Sequence, residues 1–258
     1  MKRFLLGILL LAFVACDGDA MDGGEQGGNV PNGVSSTVLT NRFTYESIVI
    51  NSTELAYRKA IIGEPSAEST ALLVLYLHGG SSRGGNNEAQ LAEDGVASIY
   101  NYLVAKKKCA IMLVPQCPQS SSWGKSMNKV LKALITDNLS NVDTSRIYAF
   151  GGSMGGTGLW SLISDYTGLF AAAMPVAANP SGATVERVVP TQVYTVMGAA
   201  DQMMKIDVVE TFVEALREAG GAAMLDVIEG WNHATTCNES YTTNRLDWIF
   251  SKQKPRSE

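Results

Sequence analysis

Short apolar runs alternate with amphipathic stretches along most of this chain, and this alternation restricts the possible folds more than any other feature. The run Leu72–Leu77 is apolar throughout, as expected for a strand that is covered on both faces of a sheet. Further strands are predicted at Phe43–Ile50, Leu55–Ile62, Cys109–Val114, Arg146–Phe150, Ala171–Val176, Gln192–Met197 and Ala223–Ile228, and helices at Asn87–Lys107, Met127–Leu139, Ser153–Ser164, Met204–Glu218 and Tyr241–Ser251. The first two strands flank Asn51-Ser52 and are expected to pair antiparallel. The pattern predicts an α/β fold with a mostly parallel central sheet and helices on both faces.

The N-terminal residues are predicted to direct the protein to its location and not to join the fold. Lys2 and Arg3 precede the apolar run Phe4–Val14, which is too short to span a bilayer because a spanning helix needs about 20 residues. A basic start, a short apolar middle and small residues at the end are typical of a bacterial signal peptide, here residues 1–15. Residues 13–16 resemble the lipobox of bacterial lipoproteins, which implies that Cys16 is lipidated. The alternative is an ordinary signal peptide followed by an unrelated cysteine.

Residues 16–35 are predicted to be the lipidated cysteine and a flexible tether. Between Asp17 and Gly33 the chain has acidic residues and glycines but no basic residue and no apolar pattern. An acidic stretch directly after the lipid cysteine resembles the surface-export signal of Bacteroidetes lipoproteins. The resemblance implies an exported bacterial outer membrane lipoprotein on the cell surface, which contacts the membrane through its lipid anchor only. Residues 36–258 are then predicted to form a single domain.

The composition excludes several functional classes. The net charge of -5 and the pI of about 5.2 argue against nucleic-acid binding, which requires a basic face. With two histidines and four cysteines, neither a multi-histidine metal site nor a disulfide-dense scaffold is expected. Export would place Cys109, Cys117 and Cys237 in an oxidising compartment. Cys109 is predicted to be a buried free thiol, whereas Cys117 and Cys237 could pair or stay free.

The sequence Gly151-Gly152-Ser153-Met154-Gly155 matches the pattern G-x-S-x-G between a predicted strand and a predicted helix. This context indicates a nucleophile elbow, a turn so tight that neighbouring side chains would clash. The turn raises the Ser153 hydroxyl above the sheet at a helix N-terminus, where the partial positive charge stabilises a developing anion. The alternative is a glycine-rich connection in which Ser153 only caps the helix.

A serine hydroxyl needs a base to become a nucleophile, and elbow folds supply it in the chain order serine, acid, histidine. His233 is the only histidine after Ser153, so we expect it to take the serine proton. Asp201 follows a predicted strand through a short loop and is the expected acid, which would hold the imidazole in the correct tautomer. The alternative acid is Glu229, in which case Asp201 would only cap the next helix.

The transition state of acyl transfer also needs hydrogen-bond donors for the carbonyl oxygen. The backbone N–H of Met154 is one expected donor. The other is expected in the loop after Leu72–Leu77, which begins His78-Gly79-Gly80, and is assigned to the N–H of Gly80 with Ser81 as the alternative. His78 is then expected to orient this loop and not to act as a base.

These residues and their order resemble the α/β-hydrolase superfamily, and within it the bacterial esterase branch labelled predicted peptidase, near polyhydroxybutyrate depolymerases and feruloyl esterases. The resemblance covers residues 72–250 and rests on residues 77–88, 114–118, 142–156 and 247–250. It supports Ser153, Asp201 and His233 as a triad. Two positions depart from the family pattern, since Ser82 stands where an acidic residue is usual and Asn232 stands where glycine commonly precedes the histidine.

The resemblance implies a serine hydrolase that cleaves carboxylic esters through an acyl-enzyme, without a cofactor or a metal. The expected substrate is a small-molecule or polysaccharide-linked ester, such as an acetyl or feruloyl ester. Trp123 and Trp231 are candidates to line its binding site, or to pack as ordinary loop residues. The alternatives are a serine peptidase of the prolyl-oligopeptidase type, which usually carries an additional propeller or cap domain, and a non-catalytic binding lipoprotein, which has no need of an intact triad.

Overall fold

The core of the protein is a central sheet, seen here in a computed structural model that describes residues 39–255. Its strands are β1 (Thr44–Ile50), β2 (Thr53–Ile62), β3 (Ala71–Leu77), β4 (Ala110–Pro115), β5 (Val142–Gly152), β6 (Ala172–Val176), β7 (Gln192–Gly198) and β8 (Ala223–Ile228). Within this part of the chain the sheet has eight strands in the order β1-β2-β4-β3-β5-β6-β7-β8. Strand β2 is antiparallel to both of its neighbours, and the remaining pairs are parallel. The predicted signal peptide, Cys16 and tether lie outside the described residues.

Helices cover both faces of the sheet. They are α1 (Asp94–Ala105), α2 (Lys125–Asp137), α3 (Met154–Asp165), α4 (Val185–Val188), α5 (Ile206–Glu218), α6 (His233–Glu239) and α7 (Thr243–Phe250). Helices α1 and α7 contribute to the apolar core on one face, and α2, α3 and α5 contribute to the core on the other. The predicted α/β architecture is therefore confirmed. None of the helices between residues 39 and 255 is long and apolar enough to cross a membrane.

Strand β3 shows why the central strands are apolar throughout. All seven of its residues are buried. Successive side chains of a strand point to opposite faces, so Leu73, Leu75 and Leu77 join one core and Leu72, Val74 and Tyr76 join the other. Because both faces are covered, neither set can be polar without an internal hydrogen-bond partner.

The antiparallel pair at the start of the sheet forms where the sequence predicts it. Asn51 and Ser52 join β1 to β2 and have φ angles of 49° and 65°. Two central residues with positive φ match the twist of the flanking strands, which is why such turns dominate short hairpins. The pairing of Ile50 with Thr53 closes the hairpin directly.

The predicted helix Asn87–Lys107 begins seven residues late, at Asp94. Asn87 instead has a φ of 54°, its N–H donates to Gln116 Oε1 at 2.6 Å, and its Nδ2 donates to the Tyr57 carbonyl at 3.0 Å. Residues 89–92 form only a short 3-10 turn. Hydrogen bonds to distant parts of the chain thus replace the first turns of the predicted helix with a fixed loop.

Arg58 of β2 connects the hairpin to the surrounding loops. Its side chain is completely buried, and its guanidinium donates to the carbonyl oxygens of Thr40 at 2.6 Å, Phe43 at 2.7 Å, Thr44 at 3.2 Å and Asn87 at 3.1 Å. One cation therefore donates to four backbone carbonyl oxygens. It joins β2 to the segment before β1 and to the loop that precedes α1.

Replacing Arg58 with alanine should lower the free energy of unfolding by about 3 kcal/mol or more, since each buried group left without its charged partner costs about 1–3 kcal/mol. Urea unfolding followed by tryptophan fluorescence measures the change. The matched control is Lys59→Ala, which removes the neighbouring, partly exposed cation and should change stability by less than about 0.5 kcal/mol. Equal losses in the two variants would contradict the role given to Arg58.

Candidate active site

Ser153 lies in a sharp turn between β5 and α3. Its φ is 55°, a left-handed conformation that non-glycine residues rarely adopt and that is concentrated at functional sites. The Ser153 N–H donates to the Val176 carbonyl at 2.9 Å, which ties the turn to β6. Helix α3 begins at the next residue, Met154. The serine hydroxyl therefore lies at a helix N-terminus, in the geometry predicted for a nucleophile elbow.

Glycines around Ser153 allow this turn to pack against the sheet. A Cβ atom at Gly155 would lie 1.9 Å from the Leu77 carbonyl oxygen at the end of β3. A Cβ atom at Gly151 would lie 2.7 Å from the carbonyl carbon of Gly155. Neither position can hold a larger residue without movement of the backbone, because both clashes are with main-chain atoms.

The structure brings the three residues of the predicted triad together. His233 Nε2 lies 2.8 Å from Ser153 Oγ, and His233 Nδ1 lies 2.8 Å from Asp201 Oδ2. The Asp201 side chain is fully buried, whereas the His233 side chain is 17% exposed. With Nδ1–H donating to the carboxylate, Nε2 is left as the acceptor for the serine hydroxyl. This arrangement is what proton transfer from the serine to the imidazole requires.

Backbone hydrogen bonds fix the carboxylate of Asp201. Its second oxygen, Oδ1, accepts from the N–H groups of Met203 at 2.8 Å and Met204 at 3.1 Å. The Ala200 N–H donates to the Trp231 carbonyl at 2.9 Å, which joins the loop carrying Asp201 to the loop carrying His233. Both loops follow adjacent parallel strands, β7 and β8, and so emerge at the same edge of the sheet.

His233 is the first residue of α6. Asn232, directly before it, is the N-cap and its Oδ1 accepts from the Thr235 N–H at 3.0 Å. Asparagine is among the preferred N-cap residues because its side chain satisfies a free N–H of the first turn. The asparagine that departs from the family pattern therefore fixes the start of the helix that positions the imidazole.

Glu229, the alternative acid, and the aspartates Asp165 and Asp226 do not contact His233. Glu229 is exposed in the turn after β8. Asp165 accepts from Asn128 Nδ2 at 2.7 Å, and Asp226 pairs with Arg245 at 2.9 Å. Among the described acidic residues, only Asp201 makes a hydrogen bond to the imidazole of His233.

The loop that follows β3 is held by His78, which is fully buried. Its Nδ1 lies 2.6 Å from the Gly79 carbonyl oxygen, and its Nε2 accepts from the Cys117 N–H at 2.8 Å. Burial lowers the pKa of His78 to about 4, so the imidazole is neutral near pH 7. Both nitrogens are engaged in fixing the loop, which agrees with the orienting role expected for His78.

An open cleft of about 360 Å³ lies over Ser153 and His233. Gly80 and Ser81, the two candidate positions for the second oxyanion donor, both line it. Its remaining lining residues are Tyr76, Gly79, Glu93, Asp94, Gly152, Met203, Ala234, Cys237 and Asn238. Across residues 39–255 no group of three or more His, Cys, Asp or Glu side chains is arranged to hold a metal ion.

Neither tryptophan proposed for substrate binding lines this cleft. Trp123 is 4% exposed, and its Nε1 donates to the His78 carbonyl at 3.0 Å, so it supports the loop from below. The Trp231 ring packs beneath the guanidinium of Arg245 at 5.9 Å. The two tryptophans therefore pack as ordinary loop residues and do not line this cleft. Sequence position alone does not show which side of a loop a side chain takes.

The three described cysteines are free thiols, so Cys117 and Cys237 do not pair. Cys117 is buried, whereas Cys237 lines the cleft on α6. Burial and the nearby carboxylates of Glu93 and Asp201 raise the pKa of the Cys237 thiol to about 12. Cys237 is thus a neutral thiol near pH 7 and contributes to the cleft as a small, weakly polar side chain.

Sequence analysis missed Glu93, which forms part of the wall of the cleft. It precedes the first residue of α1, within a stretch predicted to be the middle of a longer helix. No local pattern could identify it, because its partners Tyr76 and Ser82 belong to β3 and to the loop after it. The only hint of Glu93 in the sequence was indirect: Ser82 stands where the family pattern has an acidic residue.

A scan against protein-family models and a search of curated proteins each gave no match. Solved structures do match. A thermostable esterase superimposes with a TM-score of 0.77 at 25% identity over 83% of this chain, and this chain spans 64% of that protein, less than two thirds of its length. A ferulic acid esterase matches with a TM-score of 0.63 at 17% identity, over 81% of this chain and 97% of the other. A puromycin-hydrolyzing peptidase of Mycobacterium tuberculosis matches with a TM-score of 0.65 at 15% identity, over 82% of this chain and 40% of the other.

The similar structures thus include both esterases and peptidases, and what they share with this chain is the sheet with its covering helices. The chain therefore has the α/β-hydrolase fold.

Proposed function

We propose that the protein is a serine hydrolase that cleaves carboxylic esters, with Ser153, His233 and Asp201 as its catalytic triad. The observation that supports this most directly is the pair of 2.8 Å hydrogen bonds that connects Ser153 Oγ to Asp201 through His233. The hydroxyl and the imidazole both line an open cleft, so a substrate carbonyl can reach them. A nucleophile, a base and an orienting acid in this order are the requirements for acyl transfer.

In the proposed reaction, His233 Nε2 accepts the proton of Ser153 as its Oγ attacks the ester carbonyl carbon. Asp201 stabilises the imidazolium that forms and keeps Nδ1 protonated. His233 then gives the proton to the leaving alcohol, and an acyl-serine ester is left. Water, deprotonated by His233, attacks this ester, and the acid is released with Ser153 restored.

The tetrahedral intermediate carries a negative charge on the former carbonyl oxygen. The N–H of Met154 is a suitable donor because the first N–H groups of a helix have no partner within the helix. The N–H of Gly80 is the second donor in this proposal, with Ser81 as the alternative. Together with the N-terminus of α3, these donors would stabilise charge that exists only in the transition state and intermediate.

The proposed substrates are small-molecule or polysaccharide-linked esters, such as acetyl or feruloyl esters. The similarity to a ferulic acid esterase over 97% of its length supports this choice. The cleft is open and small, which fits an ester group presented at the surface of a larger molecule. The mechanism requires no cofactor.

A peptidase of the prolyl-oligopeptidase type is the second candidate. It is supported by the match to a puromycin-hydrolyzing peptidase, although this chain covers only 40% of that protein. The same triad can cleave an amide, so the distinction depends on the substrate that the cleft accepts. A panel of p-nitrophenyl acetate, p-nitrophenyl butyrate, methyl ferulate, acetylated xylan and a peptide anilide separates the two candidates by their relative kcat/KM.

Replacing Ser153 with alanine should lower kcat on the best ester of this panel by about 10⁴ or more while leaving the fold intact, because the nucleophile is lost. Circular dichroism checks the fold, and a serine-directed phosphonate should label the wild type and not the variant. Activity reduced by less than about tenfold would contradict the assignment of Ser153. A wild type without turnover or labelling would instead favour a non-catalytic binding protein.

Replacing Asp201 with asparagine should lower kcat by about 10⁴, since an amide in this place favours the wrong imidazole tautomer. The matched control is Glu229→Gln, which removes an exposed carboxylate near His233 in the sequence and should leave kcat unchanged. Steady-state kinetics on the same ester measures both. If Glu229→Gln lost activity and Asp201→Asn did not, the acid of the triad would be misassigned.

We further propose that the protein is exported and anchored to the bacterial outer membrane, on the cell surface, by a lipid on Cys16. The support is the sequence alone, since Cys16 lies outside the described residues. Replacing Cys16 with serine should abolish incorporation of radiolabelled palmitate in a bacterial host, because the thiol that carries the lipid is lost. Palmitate labelling that persists in Cys16→Ser would contradict the anchor.

A further inference from the structure

Glu93 is a partly buried carboxylate in the wall of the cleft, and two of its three side-chain hydrogen bonds come from the loop that carries the proposed second oxyanion donor. Its Oε1 accepts from the Gly79 N–H at 2.7 Å and from Ser82 Oγ at 2.8 Å. Its Oε2 accepts from the Tyr76 hydroxyl at 3.0 Å. One oxygen of Glu93 therefore connects both ends of the turn Gly79–Ser82.

The position of Glu93 on α1 does not explain these contacts. It is the N-cap residue of that helix, yet its side chain makes no capping hydrogen bond. It also forms no ion pair among the described residues. The carboxylate is thus directed away from its own helix and toward a loop that carries no structural element larger than a single 3-10 turn.

The bond to Gly79 decides which N–H groups of this loop are available to a substrate. Because the Gly79 N–H is taken by Glu93, it cannot also face the carbonyl oxygen of an ester. Gly80 and Ser81 follow it along the chain and line the cleft. Ser82 supplies a hydroxyl to the same carboxylate oxygen, which fixes the far end of the turn.

We infer that Glu93 is a positioning residue, whose ionised carboxylate holds Gly79 and Ser82 so that the N–H of Gly80 faces the ester oxygen as it becomes negative. The inference rests on the proposed function, since it concerns the oxyanion site of that reaction. Glu93 does not touch the reacting atoms, and it acts through the loop alone. Ser82 takes part by donating to the carboxylate where the family pattern has an acid of its own.

Keeping this carboxylate ionised has a cost in stability. Burial raises the pKa of Glu93, and the hydrogen bonds from Ser82, Gly79 and Tyr76 lower it only in part. Asp94 raises this pKa as well. The Cys237 thiol and the Tyr241 hydroxyl are further ionisable groups near the carboxylate. Since the folded-state pKa lies above the unfolded one, the ionised group destabilises the fold at neutral pH, and this penalty disappears as the pH falls through the folded pKa.

The decisive variant is Glu93→Gln, which keeps the shape and one acceptor oxygen but removes the charge. We expect kcat on p-nitrophenyl acetate to fall by about tenfold or more with KM nearly unchanged, because a displaced oxyanion donor acts on the transition state and its complete loss costs about 10²–10³. The melting temperature at pH 7 should stay equal or rise, since a buried charge is removed. Ser82→Ala should lower kcat in the same direction by a smaller factor.

The control is Asp207→Asn, which removes an exposed carboxylate in the first turn of α5 and should leave kcat unchanged. The pH profile is a further measurement. Because burial raises the pKa of Glu93, its protonation should contribute to the acid limb of kcat/KM in the wild type, and this limb should be less steep in Glu93→Gln.

Unchanged kcat in Glu93→Gln, or a lower melting temperature with a matching loss of folded protein, would overturn the inference, because Glu93 would then be dispensable or purely structural. Failure of the proposed function is a separate result. It would appear as a wild type that neither turns over an ester nor reacts with the phosphonate, before any variant is compared.

Discussion

The close contact between α3 and the end of β3 is the constraint on which the site depends. With no side chain at Gly155, the first turn of the helix can approach the Leu77 carbonyl to a distance that excludes even a methyl group. This approach places the Ser153 hydroxyl, the Met154 N–H and the loop beginning at His78 side by side. The nucleophile and both proposed oxyanion donors are therefore fixed by packing between two rigid elements, and only the imidazole and its acid arrive from elsewhere.

Much of the fold followed from apolar patterning, because a parallel strand that is covered on both faces needs a continuous apolar run, as in β3. The position at which α1 begins could not be predicted from this patterning. Asn87 lies in a region of helical composition, but its hydrogen bonds go to Gln116 and Tyr57, 29 and 30 residues away along the chain. Such partners are known only after the strands are assembled, so local propensity predicted a helix in a place where tertiary hydrogen bonds hold a loop.

The residues of the candidate triad could be named from the sequence because the elbow pattern, a single downstream histidine and the order of the strands left few choices. Their mutual distances agree with that choice. The roles of Glu93 and Trp123, in contrast, could not be predicted from the sequence. Both lie next to the loop after β3, but their roles depend on which way each side chain points. That direction is set by packing across the sheet, and no spacing in the chain encodes it.

The environment of His78 has a practical consequence for the chemistry of the whole protein. The sequence contains two histidines, and one of them is sealed in the interior with both ring nitrogens hydrogen-bonded. A reagent that acylates imidazoles in water therefore meets a single target, His233. Because burial lowers the pKa of His78 to about 4, the imidazole resonances of His78 in an isotopically labelled sample should stay still as the pH changes near neutrality. The second set of imidazole resonances then belongs to His233, 155 positions downstream, and can be assigned to the candidate active site without a variant.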